Sequence, residues 1–439
     1  MHPILPLIPA LCLSFAPVFQ DAPPAAAKTW TQEELERVSN EIKADIEKMR
    51  GMEFKRPVKV QVADKKAFLD YARKRQELTE SPQRRVRDEA IAKMLGVVPA
   101  DMDLQATLEK LLEEQVGGFY DPGSDTFFLM EAFGGDLAKI ILAHELTHAL
   151  DDQHFDLDGT LEHLGEQTDR EFAYMAVVEG SGTSAMNQWT IQRLASIDKK
   201  ALLASQDLGT KGLAEAPALL WKPLIAAYLR GEGFLVRVPS MNLAMKAAKV
   251  EDITSAFENP PRSSEQILHP AKYWNQDERD EPRKVEFDTS KLPEGWKVLG
   301  EDTLGELYLG LMTTPTEERK GLDAKNPLAV LGIKYTNPAA EGWGGDRALL
   351  LEKGDARVLI LVTVWDTPKD AQEFIGAAES VLVPKAETGE VGAAGRFDRT
   401  IERPGQEDEI VVRVCSGVAS KDAPRVGWRV SPPAKDDVK

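Results

Sequence analysis

The spacing of apolar and polar positions makes the chain mainly helical to about residue 275 and strand-rich beyond about Asn326, with a charged segment between. Residues 31–50 read as an amphipathic helix opened by a capping box, Thr31 with Glu34. Pro57 to Val62 alternates like a strand. Further helices are predicted from Asp64 to about Gln76, from Ser81 to Leu95 and from Asp103 to Gln115. Gly117 to Met130 places two aromatic or apolar runs around Asp121-Pro122-Gly123-Ser124-Asp125, which predicts a hairpin. Asp136 to Ala143 then carries apolar residues at helical spacing after an acidic start, without proline or glycine.

Gly159 to Gln167 reads as a loop and Asp169 to Ile191 as a long helix. Ala214 to Arg230 reads as another helix, ended by Gly231-Glu232-Gly233. The stretch 276–297 is charged and contains proline, which predicts a boundary. Beyond about Asn326 the runs turn short and β-like. Arg347 to Leu351 is predicted to pair with Val358 to Trp365 across Lys353-Gly354-Asp355-Ala356. A helix over Asp370 to Val381 follows, then runs at Val391–Arg399, Glu409–Cys415 and Ala419–Val430.

The fold class expected is α+β. A mainly helical domain with a small edge-strand sheet should span 28–275. A connecting segment over 276–325, a smaller α+β module over 326–431 and a disordered tail over 432–439 should follow.

Residues 1–27 read as a signal peptide and linker. Ile4 to Phe19 is almost wholly apolar and uncharged, and a Pro/Ala stretch follows it, although no Lys or Arg precedes it. This predicts an exported protein, periplasmic or extracellular. The run is short and broken by proline, so no stable membrane span is expected in the mature chain. Removal of that segment leaves Cys415 alone, which excludes a disulfide framework and a thiolate metal site. The net charge of −18 argues against a nucleic-acid partner, because phosphate binding needs a basic surface.

The chemistry of the chain gathers at His144-Glu145-Leu146-Thr147-His148. On a helix, residues i and i+4 share a face, so both imidazoles can reach one Zn²⁺. The Glu beside the first His can then serve as a base toward water. Six His in 439 residues make a chance H-E-x-x-H rare, on the order of one per hundred such chains. A catalytic zinc keeps three protein ligands. Glu179, 31 residues beyond His148 (179 − 148) on the next long helix, is one candidate, with Gly180 permitting close helix approach. His154 is the other, six residues beyond His148 (154 − 148) as in H-E-x-x-H-x-x-G-x-x-H, although Asp151 stands where that pattern has Gly. Asp151 and Asp152 can orient an imidazole or simply end the helix.

The His144, His148 and Glu179 arrangement resembles the gluzincins, the thermolysin-like and aminopeptidase N-like enzymes. The segments His144–Asp156, Val178–Gly180, Pro260–Pro270 and Gly342–Arg347 also resemble a group of poorly characterised bacterial proteins with gluzincin-type sites. That resemblance implies a zincin-like fold, one Zn²⁺ per chain held by His144, His148 and Glu179, and a peptide or protein substrate. It implies Glu145 as general base and an oxyanion donor from a downstream helix. His269 is the first choice for that donor, with Tyr228, Tyr174 and Tyr273 also available. Arg262 and Glu265 are expected to bind substrate or to hold a loop. Two other readings stand beside the metallopeptidase: a binding or assembly protein on the same scaffold, and a zinc hydrolase of non-peptide substrates.

Overall fold

A computed structural model describes residues 30–433, apart from 116, 132, 166, 199–215, 238–245, 316–317, 320–331 and 383–396. The predicted signal segment, the first part of the run at Val391–Arg399 and the tail beyond 433 lie outside the described residues. The elements run α1 (Gln32–Arg50), β1 (Lys59–Ala63), α2 (Lys65–Thr79), α3 (Pro82–Met94), α4 (Leu104–Gln115), β2 (Gly118–Asp121), β3 (Thr126–Met130) and α5 (Gly135–Phe155). There follow α6 (Leu157–Leu164), α7 (Thr168–Gln192), α8 (Ala218–Val236), α9 (Val250–Glu258), α10 (Ser264–Leu268) and α11 (Ala271–Trp274). The last part holds β4 (Lys284–Asp288), β5 (Lys297–Asp302), α12 (Gly305–Thr313), β6 (Trp343–Lys353), β7 (Ala356–Trp365), α13 (Pro368–Leu382), β8 (Asp398–Glu402), β9 (Glu409–Ser416) and β10 (Gly427–Ser431). The architecture is α+β.

The capping box of α1 forms as its sequence predicts: Thr31 accepts from Glu34 N–H and the Glu34 carboxylate accepts from Thr31 N–H. The predicted hairpin is β2–β3, and β1 lies parallel along the other side of β3. In the last third, β5, β6, β7, β9 and β8 form one antiparallel sheet in that order, and β4 pairs with β10.

Three expectations are corrected. Residues 157–164 form α6 rather than a loop. Asp156, in left-handed conformation, caps it by accepting from Gly159 N–H, and Leu157 and Leu164 are buried. The helix expected to stop at Gly231-Glu232-Gly233 continues to Val236. A Cβ on Gly231 would sit 1.9 Å from the Ala176 carbonyl oxygen of α7, so glycine here serves a backbone crossing and not a break. The expected connector 276–325 supplies β4 and β5, one strand to each C-terminal sheet, and α12.

The helical part and the large sheet share a core. Phe172 and Tyr174 of α7, Ile225 of α8, Leu307 and Leu311 of α12, Leu350 of β6 and Leu361 of β7 belong to one buried apolar cluster. A second cluster packs α1, β1 and β3 against α5. Every residue of α5 from Ile140 to Gln153 is buried, so the helix is covered on all its faces.

The end of β5, an edge strand of the large sheet, also grips the start of α7. Asp302, at the end of β5, accepts hydrogen bonds from Thr168 N–H (2.9 Å) and Thr168 Oγ1 (2.6 Å), and Asp169 N–H donates to Thr303 O (3.1 Å). Arg84 of α3 forms a two-pronged, buried pair with Glu171 one turn along.

Candidate metal centre

The i, i+4 spacing on α5 brings the two imidazoles edge to face, with Nε2 atoms 2.8 Å apart. α7 crosses α5 and delivers Glu179 between them. Glu179 Oε2 lies 3.1 Å from His144 Nε2 and 3.5 Å from His148 Nε2. All three side chains are buried, and among the described residues they form one of two groups whose ligand atoms could share a cation. Tetrahedral Zn²⁺ with bonds near 2.0–2.1 Å holds its ligand atoms about 3.3 Å apart. The three separations bracket that value, and two imidazoles with a carboxylate are a zinc donor set, so these residues fit the ion.

The three groups are coupled electrostatically. Burial works against charge on Glu179, but His148 and the hydrogen bonds from both imidazoles outweigh it and hold the carboxyl at about 2. Burial also works against charge on His148, and Glu179, with Glu145 and Asp151, raises it to about 9. Burial and the neighbouring His148 hold His144 below the ordinary imidazole value.

Glu145 is buried beside the pair, and its Oε2 accepts the Tyr120 N–H at 3.0 Å. Met130 N–H bonds Gly117 O across the hairpin, so the alternation of an antiparallel pair turns the Tyr120 N–H away from β3. The free edge of β2 therefore faces the Glu145 carboxylate. The Tyr120 hydroxyl bonds Asp152 and Asp125, both at 3.1 Å, which pins the strand to α5.

The remaining candidates separate clearly. His154 ends α5 with Nε2 2.9 Å from Glu53 O, away from the three-residue cluster, so it is not the third member. His269 caps α10, and its Nε2 lies 2.9 Å from Glu306 Oε1. That nitrogen is committed to a buried carboxylate, so the oxyanion role expected of His269 finds no support in the geometry. Tyr228 of α8 is the aromatic that lies on the pair, its ring stacked on His144 with centroids 5.6 Å apart. Tyr174 packs edge-on to Phe257, and the Tyr273 hydroxyl bonds Asn259 O. Arg262 and Glu265 hold a loop: Arg262 faces Glu281 at 3.7 Å and Glu265 meets Lys272 at 2.6 Å. Lys272 also reaches Asp280 and Asp366, so its ammonium already fills the second group of carboxylates. Asp151 faces Arg50 and Ser181 rather than an imidazole.

Gly180, expected to ease the approach of α7 to α5, instead meets α8. A Cβ there would lie 2.3 Å from the Gly231 carbonyl carbon. It is Gly182 that faces the imidazoles, where a Cβ would lie 2.8 Å from Cε1 of both His144 and His148. The spacing Gly180-Ser181-Gly182 is visible in the sequence, but which helix each glycine faces is not. Within the motif Gly342–Arg347, the part played by Asp346 is clear. Asp346 accepts from Leu304 and Gly305 N–H and so caps α12.

A domain of unknown function (DUF8575) matches residues 295–427. The match covers the large sheet with its helices and leaves the His144, His148 and Glu179 cluster outside it. No curated protein and no solved structure matches the chain.

Proposed function

We propose that the chain is an exported, zinc-dependent metallopeptidase with a zincin-like arrangement of its active site. The observation that carries this reading is the meeting of His144 Nε2, His148 Nε2 and Glu179 Oε2 within 3.5 Å of one another, with Glu145 beside them. Zinc held by these side chains would supply Lewis acidity, polarising a scissile carbonyl and making water easier to deprotonate. Glu145 takes a proton from the attacking water and passes it to the departing amine as the C–N bond breaks. The Tyr120 N–H fixes one oxygen of that carboxylate, and the Tyr228 ring fixes the plane of His144. A strand edge beside the base favours an extended peptide as substrate, since its backbone can pair with β2. The uncharged apolar run from Ile4 to Phe19 supports export.

The test is Glu145→Gln. The variant should bind one zinc per chain and lose peptidase activity about 10²-fold or more, as expected for loss of a general base. Wild-type protein that takes up no stoichiometric zinc would overturn the proposal, as would a fully active Glu145→Gln.

A further inference from the structure

We propose that Asp151 is a charge-compensating, positioning residue of the metal centre, cancelling the buried guanidinium of Arg50 so that a divalent cation can be held one helical turn away. The inference rests on the zinc reading above.

Arg50 closes α1 and is buried, and so are Asp151 of α5 and Ser181 of α7. Arg50 Nη2 donates to Asp151 Oδ1 at 2.5 Å, Ser181 Oγ donates to Asp151 Oδ2 at 2.5 Å, and Arg50 Nη1 donates to Ser181 Oγ. Asp151 follows His148 by three residues (151 − 148), and Ser181 follows Glu179 by two (181 − 179). Residues three apart on a helix are surface neighbours. The guanidinium therefore touches both segments that carry the ligand atoms.

A guanidinium does not lose its proton in a protein. Its buried charge, bonded to Asp151 one turn from His148 and to Ser181 two residues from Glu179, opposes any cation at His144, His148 and Glu179. Among the described residues, Asp151 is the carboxylate that pairs with it, and Arg50 Nε has no further partner. With Asp151 present, the link binds three helices together and is neutral. Without it, the same link leaves an uncompensated positive charge on the two helices that carry His148 and Glu179.

A purely mechanical link and a charge-compensating one predict different orders of effect. Zinc affinity of the full chain is measured by competition with a chromophoric chelator, and melting is followed with and without zinc. Asp151→Asn should weaken zinc binding tenfold or more. Adding Arg50→Met should restore it to within about threefold of wild type, although the double variant has lost both ends of the link. A double variant that binds zinc no better than Asp151→Asn overturns the proposal. If Asp151→Asn does not fold, Arg50→Met with Asp151→Leu replaces the pair by apolar side chains. Affinity within about threefold of wild type then supports compensation, and a tenfold or greater loss overturns it. Wild-type protein without zinc would instead strike at the metal reading itself, so the two failures are distinguishable.

Discussion

Gly182→Ala is a small change with a sharply local consequence. The new methyl would stand 2.8 Å from Cε1 of His144 and of His148, and 3.0 Å from His144 Nδ1. Carbon atoms pack best at about 3.5–4.0 Å, so restoring ordinary contact moves each ring by up to about 0.7 Å. Metal–ligand distances tolerate about 0.2 Å. Both nitrogens therefore leave their places together, and zinc affinity should fall about 10–100-fold, or roughly 1.4–2.8 kcal/mol. The fold itself should suffer little. Ala gains about 1 kcal/mol over Gly in a helix, against about 1–3 kcal/mol for overpacking. Chelator competition reads the first quantity, and melting of the zinc-free protein reads the second. Gly180→Ala is the control. Its Cβ would meet the Gly231 backbone at 2.3 Å, which cannot rotate away, so folding rather than zinc affinity should be lost. A stable Gly182→Ala protein with wild-type zinc affinity would refute this geometry.

Other outcomes follow from the same structure. Glu179→Gln should abolish tight zinc binding while His154→Ala leaves it intact, because the His154 ring is directed at Glu53 O; metal analysis after dialysis checks both. Asp302→Ala removes the hydrogen bonds accepted from the Thr168 N–H and hydroxyl and one of the two carboxylates near Arg87, which keeps Asp88. It should cost about 3 kcal/mol in chemical denaturation, with the start of α7 losing amide-exchange protection. Burial, with the charges of Asp346 and Glu306, raises Asp169 to about 8, against the hydrogen bonds from Ser264. A carboxyl raised on folding contributes stability below its unfolded value, and that stability is lost as the pH rises through about 8. The melting temperature should fall from pH 5 to pH 9, and Asp169→Asn should flatten that fall. Each tenfold change in the carboxyl's proton affinity on folding is worth about 1.4 kcal/mol.

The hydrophobic pattern determined what is local. The capping box of α1, the β2–β3 hairpin and the buried α5 each depend on residues a few positions apart, where propensity and spacing act directly. The i, i+4 pair His144 and His148 belongs with them, since the pitch of one helix places both rings. Tertiary structure decided the rest. Glu179 and His154 were both open in sequence, and the crossing of α7 over α5 brings in one while Glu53 O takes the other. Gly231 has the composition of a helix end, yet it marks the point where two backbones touch. His269 was drawn away by Glu306, and Tyr228 was set against His144 by the packing of α8. The partners of Arg50 lie 101 and 131 residues away. No local period encodes contacts at such separations. They exist because burial of apolar faces brings the helices together, and the polar groups trapped between them must then find partners.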